Sequence, residues 1–395
     1  MSRFTFRLIL LISCAHALVH LFELSLPSVE QMIGTEFSVG KQQTGVLGTV
    51  WRIPFGVGAV FTGLLVDRYG AKPLLLLYLA GCTSACLWAF AAASYGSVLL
   101  SMLTMGCFAS IYHPAGLALI SHATTAQTRG AALGWHGIFG SAGIASAPFL
   151  AGIVFSGGDV TWRQYYLLLT VPAAALIVLL FLRLPRDRPQ DFTHSDSGAP
   201  TPVIVLAPPH HWKLYGVLVT TGVLSGFIYA AFMHFLPRYL DDAGLTMAGV
   251  SAAGTRNRLA ALVLSCGIVG QWIAGRCARP GHLERQLALI LLASTPILVW
   301  MALAAGPWRI AATCLLALVH FMNQPVYNSL IAQYVPAARR SFGYGFSNMV
   351  CFSIGGLGPT FAGFMQTDRW TYGGLAVVAL AAGCVSLLLV PVSKK

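Results

Sequence analysis

Twelve apolar runs, each near the length of a membrane-crossing helix and divided by short polar breaks, leave this chain little choice of fold. They fall at about 8–32, 43–66, 73–93, 97–122, 130–156, 164–183, 213–236, 252–275, 285–305, 308–333, 341–365 and 371–391. One bilayer crossing takes about 20 apolar residues. Backbone polar groups in lipid must be satisfied within the segment, so runs of this length read as helices. No stretch alternates as a transmembrane barrel strand does. Only 9% of the 395 residues are charged, against roughly a quarter in soluble proteins. That is too few to cover a water-facing surface, which excludes a soluble enzyme or a nucleic-acid-binding protein. The expected fold class is an all-α membrane protein with twelve transmembrane helices.

Arg3 and Arg7 before an apolar run have the look of a signal peptide, but His20 and Glu23 follow in place of a small-residue cleavage site. The segment therefore reads as an uncleaved first span. The nine cysteines contain no CxxC pair, so neither a disulfide framework nor a zinc site is expected.

The proline-rich stretch from Arg183 to Lys213 divides the spans six and six. It predicts an N-terminal bundle over 1–183, a cytoplasmic linker over 184–212 and a C-terminal bundle over 213–395. Sixteen of the 24 Lys and Arg residues fall on the side of the termini and this linker, facing five acids. The excess of the net charge of +12 thus reports topology, and it places both termini in the cytoplasm.

The halves repeat. A shift of 211 residues lays Pro114 on Pro325, Leu119 on Leu330, Arg129 on Arg340, Gly134 on Gly345, Pro148 on Pro359 and Gly152 on Gly363 without a gap. With a small change in offset, Leu26-Pro27 matches Leu236-Pro237. Duplicated bundles of this kind hold a substrate near the midplane between the halves and work by rocking one against the other.

Two motifs sit at telling places. The loop after the second run reads Gly63-Leu-Leu-Val-Asp67-Arg68-Tyr-Gly70-Ala-Lys72. A turn at Gly70 lets Asp67 reach a helix N-terminus or a cation such as Arg129 or Arg340 when that side closes. The fifth run carries Gly143-x-x-x-Ala147-Pro148-x-x-Ala151-Gly152, repeated in the eleventh as Gly358-Pro359-x-x-Ala362-Gly363. Small residues admit close helix approach and proline bends the helix, which suits a pivoting contact as well as ordinary packing. These motifs resemble the loop signature and the antiporter motif of the major facilitator superfamily, with Ala71, Ala147 and Ala151 departing from the pattern. Tyr112-His113-Pro114 stands where common multidrug antiporters carry an intramembrane Arg, and the chain is more similar to the fosmidomycin-resistance branch. The resemblance implies two pseudo-symmetric six-helix bundles and an alternating-access monomer that moves a small molecule. It also implies gating by Asp67, Arg68, Gly70, Lys72, Arg129, Arg340, Gly143, Pro148, Gly152 and Pro359, and a tilt toward efflux.

Ionisable groups inside a membrane are costly and mark function. His16, His20 and Glu23 share one face of the first span. Glu23 and Arg52 each lie 15 residues from a cytoplasmic boundary at Leu8 and Asp67, about 22 Å deep at 1.5 Å per residue. They are positioned to pair. One reading makes the pair a packing device. The other lets Glu23, His20 and His16 carry the coupling proton while Arg52 is freed for an anionic substrate. Arg258, near the repeat-equivalent position, either adds a second cation or sits in headgroup water. His320, Gln324 and Asn328 share a face of the tenth span. With His113 and Tyr229 they line the cavity that the resemblance places among the first, fourth, seventh and tenth spans.

The expectation is a proton-coupled secondary transporter, an antiporter of the bacterial inner membrane that exports a small amphipathic or anionic compound. Alternatives are an importer of a carboxylate or phosphorylated metabolite and, less favoured, a transition-metal transporter. No nucleotide-binding loop of the G-x-x-x-x-G-K-[ST] type occurs, so the proton gradient is the expected energy source, with no cofactor, no resident metal and no enzymatic activity. The lipid bilayer and the small-molecule substrate are the only partners expected.

Overall fold

A computed structural model describes residues 3–184, 212–278, 281–336, 339–365 and 367–390. The expected linker at 184–212 therefore lies almost wholly outside the described residues. Among the described residues fifteen α-helices follow one another: α1 (Arg3–Glu36), α2 (Lys41–Tyr69), α3 (Ala71–Phe90), α4 (Tyr95–Ala109), α5 (Tyr112–Ala123), α6 (Ala126–Val154), α7 (Trp162–Arg183), α8 (Trp212–Asp241), α9 (Ala252–Cys277), α10 (Leu283–Leu303), α11 (Trp308–Phe321), α12 (Asn323–Tyr334), α13 (Arg340–Ile354), α14 (Gly358–Phe364) and α15 (Asp368–Leu387). The expected spans correspond to these helices taken singly or in joined pairs. Among the described residues, eleven stretches are long and apolar enough to cross a membrane. The twelfth, α13 with α14, is interrupted by a 3-10 turn at Gly355–Leu357. This is a multi-pass membrane protein.

Local chemistry sets the ends. Ser94, Thr161, Ser251 and Thr367 cap α4, α7, α9 and α15 by accepting backbone N–H groups. Gly70 sits at φ +82° between α2 and α3, where a side chain would be strained. The repeat is visible as broken helices. The fourth span parts between Ala109 and Tyr112, just before Pro114, and the tenth parts at Met322, just before Pro325. A proline in the first turn of the new helix is tolerated, because its missing N–H would have had no helical partner there.

The halves meet at one end. Where α1 ends and α2 begins, His234 Nε2 donates to the Thr44 carbonyl (2.9 Å), Thr49 Oγ1 donates to the Gly356 carbonyl (2.8 Å), Asn257 Nδ2 donates to the Ser28 carbonyl (3.0 Å) and Ser251 Oγ donates to the Phe155 carbonyl (2.5 Å). Toward the face that holds the start of α1, the last such bond among the described residues joins Ser141 Oγ to Gln271 Oε1 (2.6 Å). Nearer that face the repeat partners Gly134 and Gly345 have no atom within 4 Å of where a Cβ would stand. Among the described residues the halves are thus bonded together on one face and not on the face that holds the start of α1.

Candidate functional site

The first span supplies its polar face as the heptad spacing requires. Glu23 is 4% exposed and Arg52 is 3% exposed, and Arg52 Nη1 donates to Glu23 Oε1 at 2.7 Å. The second carboxylate oxygen accepts from His20 Nδ1 at 2.8 Å. Arg52 also lies 5.6 Å from the Tyr229 ring centroid, so its charge ties α1 and α2 to α8 in the other half. A guanidinium over an aromatic face gains attraction from the ring quadrupole.

Behind this pair stands a histidine cluster. His16 Nδ1 lies 2.7 Å from the His136 carbonyl. A carbonyl only accepts, so His16 Nδ1 donates there. His20 Nδ1 donates to Glu23, so in both histidines Nε2 is the nitrogen left to face the other ring. These two Nε2 atoms face each other at 3.3 Å. The His16 ring stacks on His136 at 3.8 Å between centroids, and Gly140 gives it room, since a Cβ there would stand 2.7 Å from His16 Nδ1. Tyr112 closes the group, donating to the Ile12 carbonyl at 2.7 Å and lying 3.1 Å from His136 Nε2. His113 turns toward both, its centroid 5.1 Å from that of His16 and 5.8 Å from that of His20.

The second half contributes a polar wall. Asn323 Nδ2 donates to Ser225 Oγ (2.6 Å), which lies 3.4 Å from His320 Nε2. Gln271 Nε2 donates to Gln324 Oε1 (2.6 Å). His320 Nδ1 and Asn323 Oδ1 are buried without a hydrogen-bond partner among the described residues. Asn328 is exposed, and its carbonyl accepts from Tyr344.

Other expectations are redistributed. Arg258 does not join Arg52. Its Nη2 donates to Ser156 Oγ (2.7 Å) and its Nε to the Gly152 carbonyl (3.2 Å) at the closed end, because Gly152 lets α6 and α9 approach until a Cβ would meet the Arg258 backbone N at 3.0 Å. Its neighbour Arg256 pairs with Asp241 at 3.2 Å. In the signature loop Asp67 and Arg68 are exposed, and Asp67 makes no ion pair among the described residues. The side chains of Arg129 and Arg340 lie outside the described residues. Lys72 instead binds the carbonyls that end α7, reaching Leu184 O at 2.5 Å and Phe181 O at 2.9 Å. Gly143, Pro148, Gly152 and Pro359 are all buried. Gly143 packs on Ala17 of α1 within its own half, whereas Gly152 packs across the halves.

The closed face holds charges that the sequence reading did not single out. Arg238 donates to buried Glu30 (2.7 Å), Asp241 accepts from Gln31 (3.0 Å), and Lys41 reaches Thr371 (3.0 Å) and Asp368 (4.0 Å). Each contact spans the two halves. The available signal was Glu30, an acid inside an apolar run.

Comparison with known proteins agrees with this architecture. The family model of the Major Facilitator Superfamily matches residues 12–359. The chain belongs to the major facilitator superfamily. It is 26% identical over 354 residues to a metabolite transport protein of Haemophilus influenzae, covering 84% of this chain and 82% of the relative. It is 26% identical over 346 residues to the nitrate/nitrite transporter NarK2 of Mycobacterium tuberculosis (82% and 81%), and 25% identical over 347 residues to the multi-drug resistance efflux pump PmrA of Streptococcus pneumoniae (85% and 82%). Among solved structures, a bacterial homolog of the human lysosomal transporter Spinster overlays with a TM-score of 0.78 at 15% identity, covering 99% and 96% of the two chains. The xylose transporter XylE of E. coli overlays equally well, with a TM-score of 0.78 at 13% identity, covering 99% and 97%. This superfamily member is thus a membrane transporter with the two-bundle fold.

Proposed function

We propose that this transporter couples proton movement to passage of a small anionic compound by alternating access, with both termini in the cytoplasm of a bacterial cell. The observation that carries the reading is the shared carboxylate: Glu23 holds Arg52 at 2.7 Å and His20 at 2.8 Å in one buried group. While Glu23 is ionised it neutralises Arg52. Once a proton reaches Glu23 through the His16–His20 pair, Arg52 is left with an unpaired charge beside Tyr229, and an anion compensates it. A buried charge without a partner is costly, so proton and anion favour each other's binding. This linkage favours uptake with protons down the gradient, and the similarity to a nitrate/nitrite transporter is in keeping with an anion. Export remains a second reading, favoured by the small-residue and proline stretch around Pro148 and by the similarity to an efflux pump.

Proteoliposomes with an imposed pH gradient test both. Gradient-driven accumulation on the alkaline side supports co-transport, and accumulation on the acidic side supports exchange. Glu23→Gln should retain downhill passage of an anion and lose its response to the pH gradient. An unchanged response would remove Glu23 from the coupling role. Arg52→Ala should abolish anion passage while sparing the helical content.

A further inference from the structure

We propose that His16, His20 and His113 form a binding site for one divalent transition-metal ion of the zinc and cobalt class, between α1 and α5. This goes beyond the transport reading and does not depend on it. The ligand atoms of the three histidines lie within 4.8 Å of one another. Two imidazole nitrogens bound to zinc at 2.0–2.1 Å in tetrahedral geometry are about 3.3–3.4 Å apart. The His16 and His20 Nε2 atoms stand at 3.3 Å, so one edge of such a tetrahedron is already built. The His113 ring stands beside both, its centroid 5.1 Å from that of His16 and 5.8 Å from that of His20, and it is the third ligand that closes on the ion.

The outer contacts are those a metal-bound histidine uses. Such residues give their other N–H to a carboxylate or a backbone carbonyl, which fixes the tautomer and sharpens the lone pair. His20 gives its Nδ1–H to Glu23 and His16 gives its to the His136 carbonyl. Both Nε2 atoms therefore face each other at hydrogen-bond distance, where one proton or one metal ion can sit between them. The groups facing the pair are Tyr112 and His113 from α5, His136 from α6, Glu23 from α1 and Arg52 from α2. Glu23 and Arg52 offset each other in charge, so three imidazoles remain to receive the ion. Nitrogen ligands without thiolates suit zinc, cobalt, nickel or copper(II) over magnesium or calcium. Metal and proton compete for the same lone pairs, so binding one ion releases the proton held between them.

The test uses the full-length protein in detergent, free of any polyhistidine tag and with no gradient imposed, titrated with Co2+ and then Zn2+. The expected result is one equivalent of Co2+ with the intense visible absorption of a tetrahedral site, displaced by Zn2+. His16→Gln, His20→Gln and His113→Gln should each weaken binding at least tenfold while circular dichroism shows intact helices. Co2+ binding that is equal in wild type and in the three variants assigns the ion to other histidines, such as His210 and His211, and overturns the proposal. A weak octahedral spectrum in the wild type overturns it without reference to any variant. Either failure leaves proton-driven transport in proteoliposomes unaffected.

Discussion

Arg52 is the residue on which the site turns, since one guanidinium meets Glu23 by charge and Tyr229 by its ring face. Removing one partner of a buried ion pair leaves the other uncompensated and costs about 3–5 kcal/mol, whereas removing both costs far less. Glu23→Gln and Arg52→Gln alone should each lower the unfolding temperature in detergent, and the double variant should recover much of the loss. Additive losses would mean that the two side chains do not depend on each other. Their pairing was legible in the sequence because helical rise converts residue count into depth, and both fall at one depth. The stacking of His136 on His16 was not legible. It joins residues 120 positions apart, and depth on one helix says nothing about which way a neighbouring helix turns.

The helices that carry the contact between halves are pinned by glycines. A Cβ at Gly363 of α14 would stand 2.7 Å from the Lys41 carbonyl that opens α2. Overpacking at such a contact typically costs 1–3 kcal/mol, and here the cost falls on this conformation alone. Gly363→Val should therefore move the ends of α1 and α8 apart, read as a longer distance between spin labels placed on them. An unchanged distance would show that the close approach is not what holds this end shut. The proline breaks of α4–α5 and α11–α12 were foreshadowed by the alignment of Pro114 with Pro325. The 3-10 turn at Gly355–Leu357 was not, because there the break follows from packing of Gly355 and Gly358 against α8, with a Cβ at Gly355 only 3.0 Å from the Phe227 N.

At the scale of the whole molecule, one face is locked by paired charges between the halves. Glu30 is 1% exposed and is held by Arg238 and by Thr44 Oγ1 at 2.5 Å. Breaking that pair with Arg238→Gln exposes the closed state to a penalty of about 3 kcal/mol, which is about a hundredfold in a conformational equilibrium. The variant should populate the form open to the opposite face, giving faster reaction of a membrane-impermeant thiol reagent with a cysteine placed at Ser28. No change in that rate would place the lock elsewhere. Elsewhere on this face acids and bases are paired as well, Asp241 with Arg256 and Asp368 with Arg309. The expectation of a gate at Asp67 concerned the other face.

By itself the sequence determined the membrane-spanning character, the run of helices, the duplication and the depth of Glu23 against Arg52. All of these are one-dimensional properties: apolar length, periodicity and offset survive without knowledge of any neighbour. Only the tertiary structure decided that Arg258 belongs to a helix contact, that Glu30, Asp241 and Lys41 bridge the halves, and that three histidines converge. Those facts depend on the rotation of each helix about its own axis. That angle is set by packing against several partners at once, and near-uniform apolar spans carry too little amphipathic contrast to encode it.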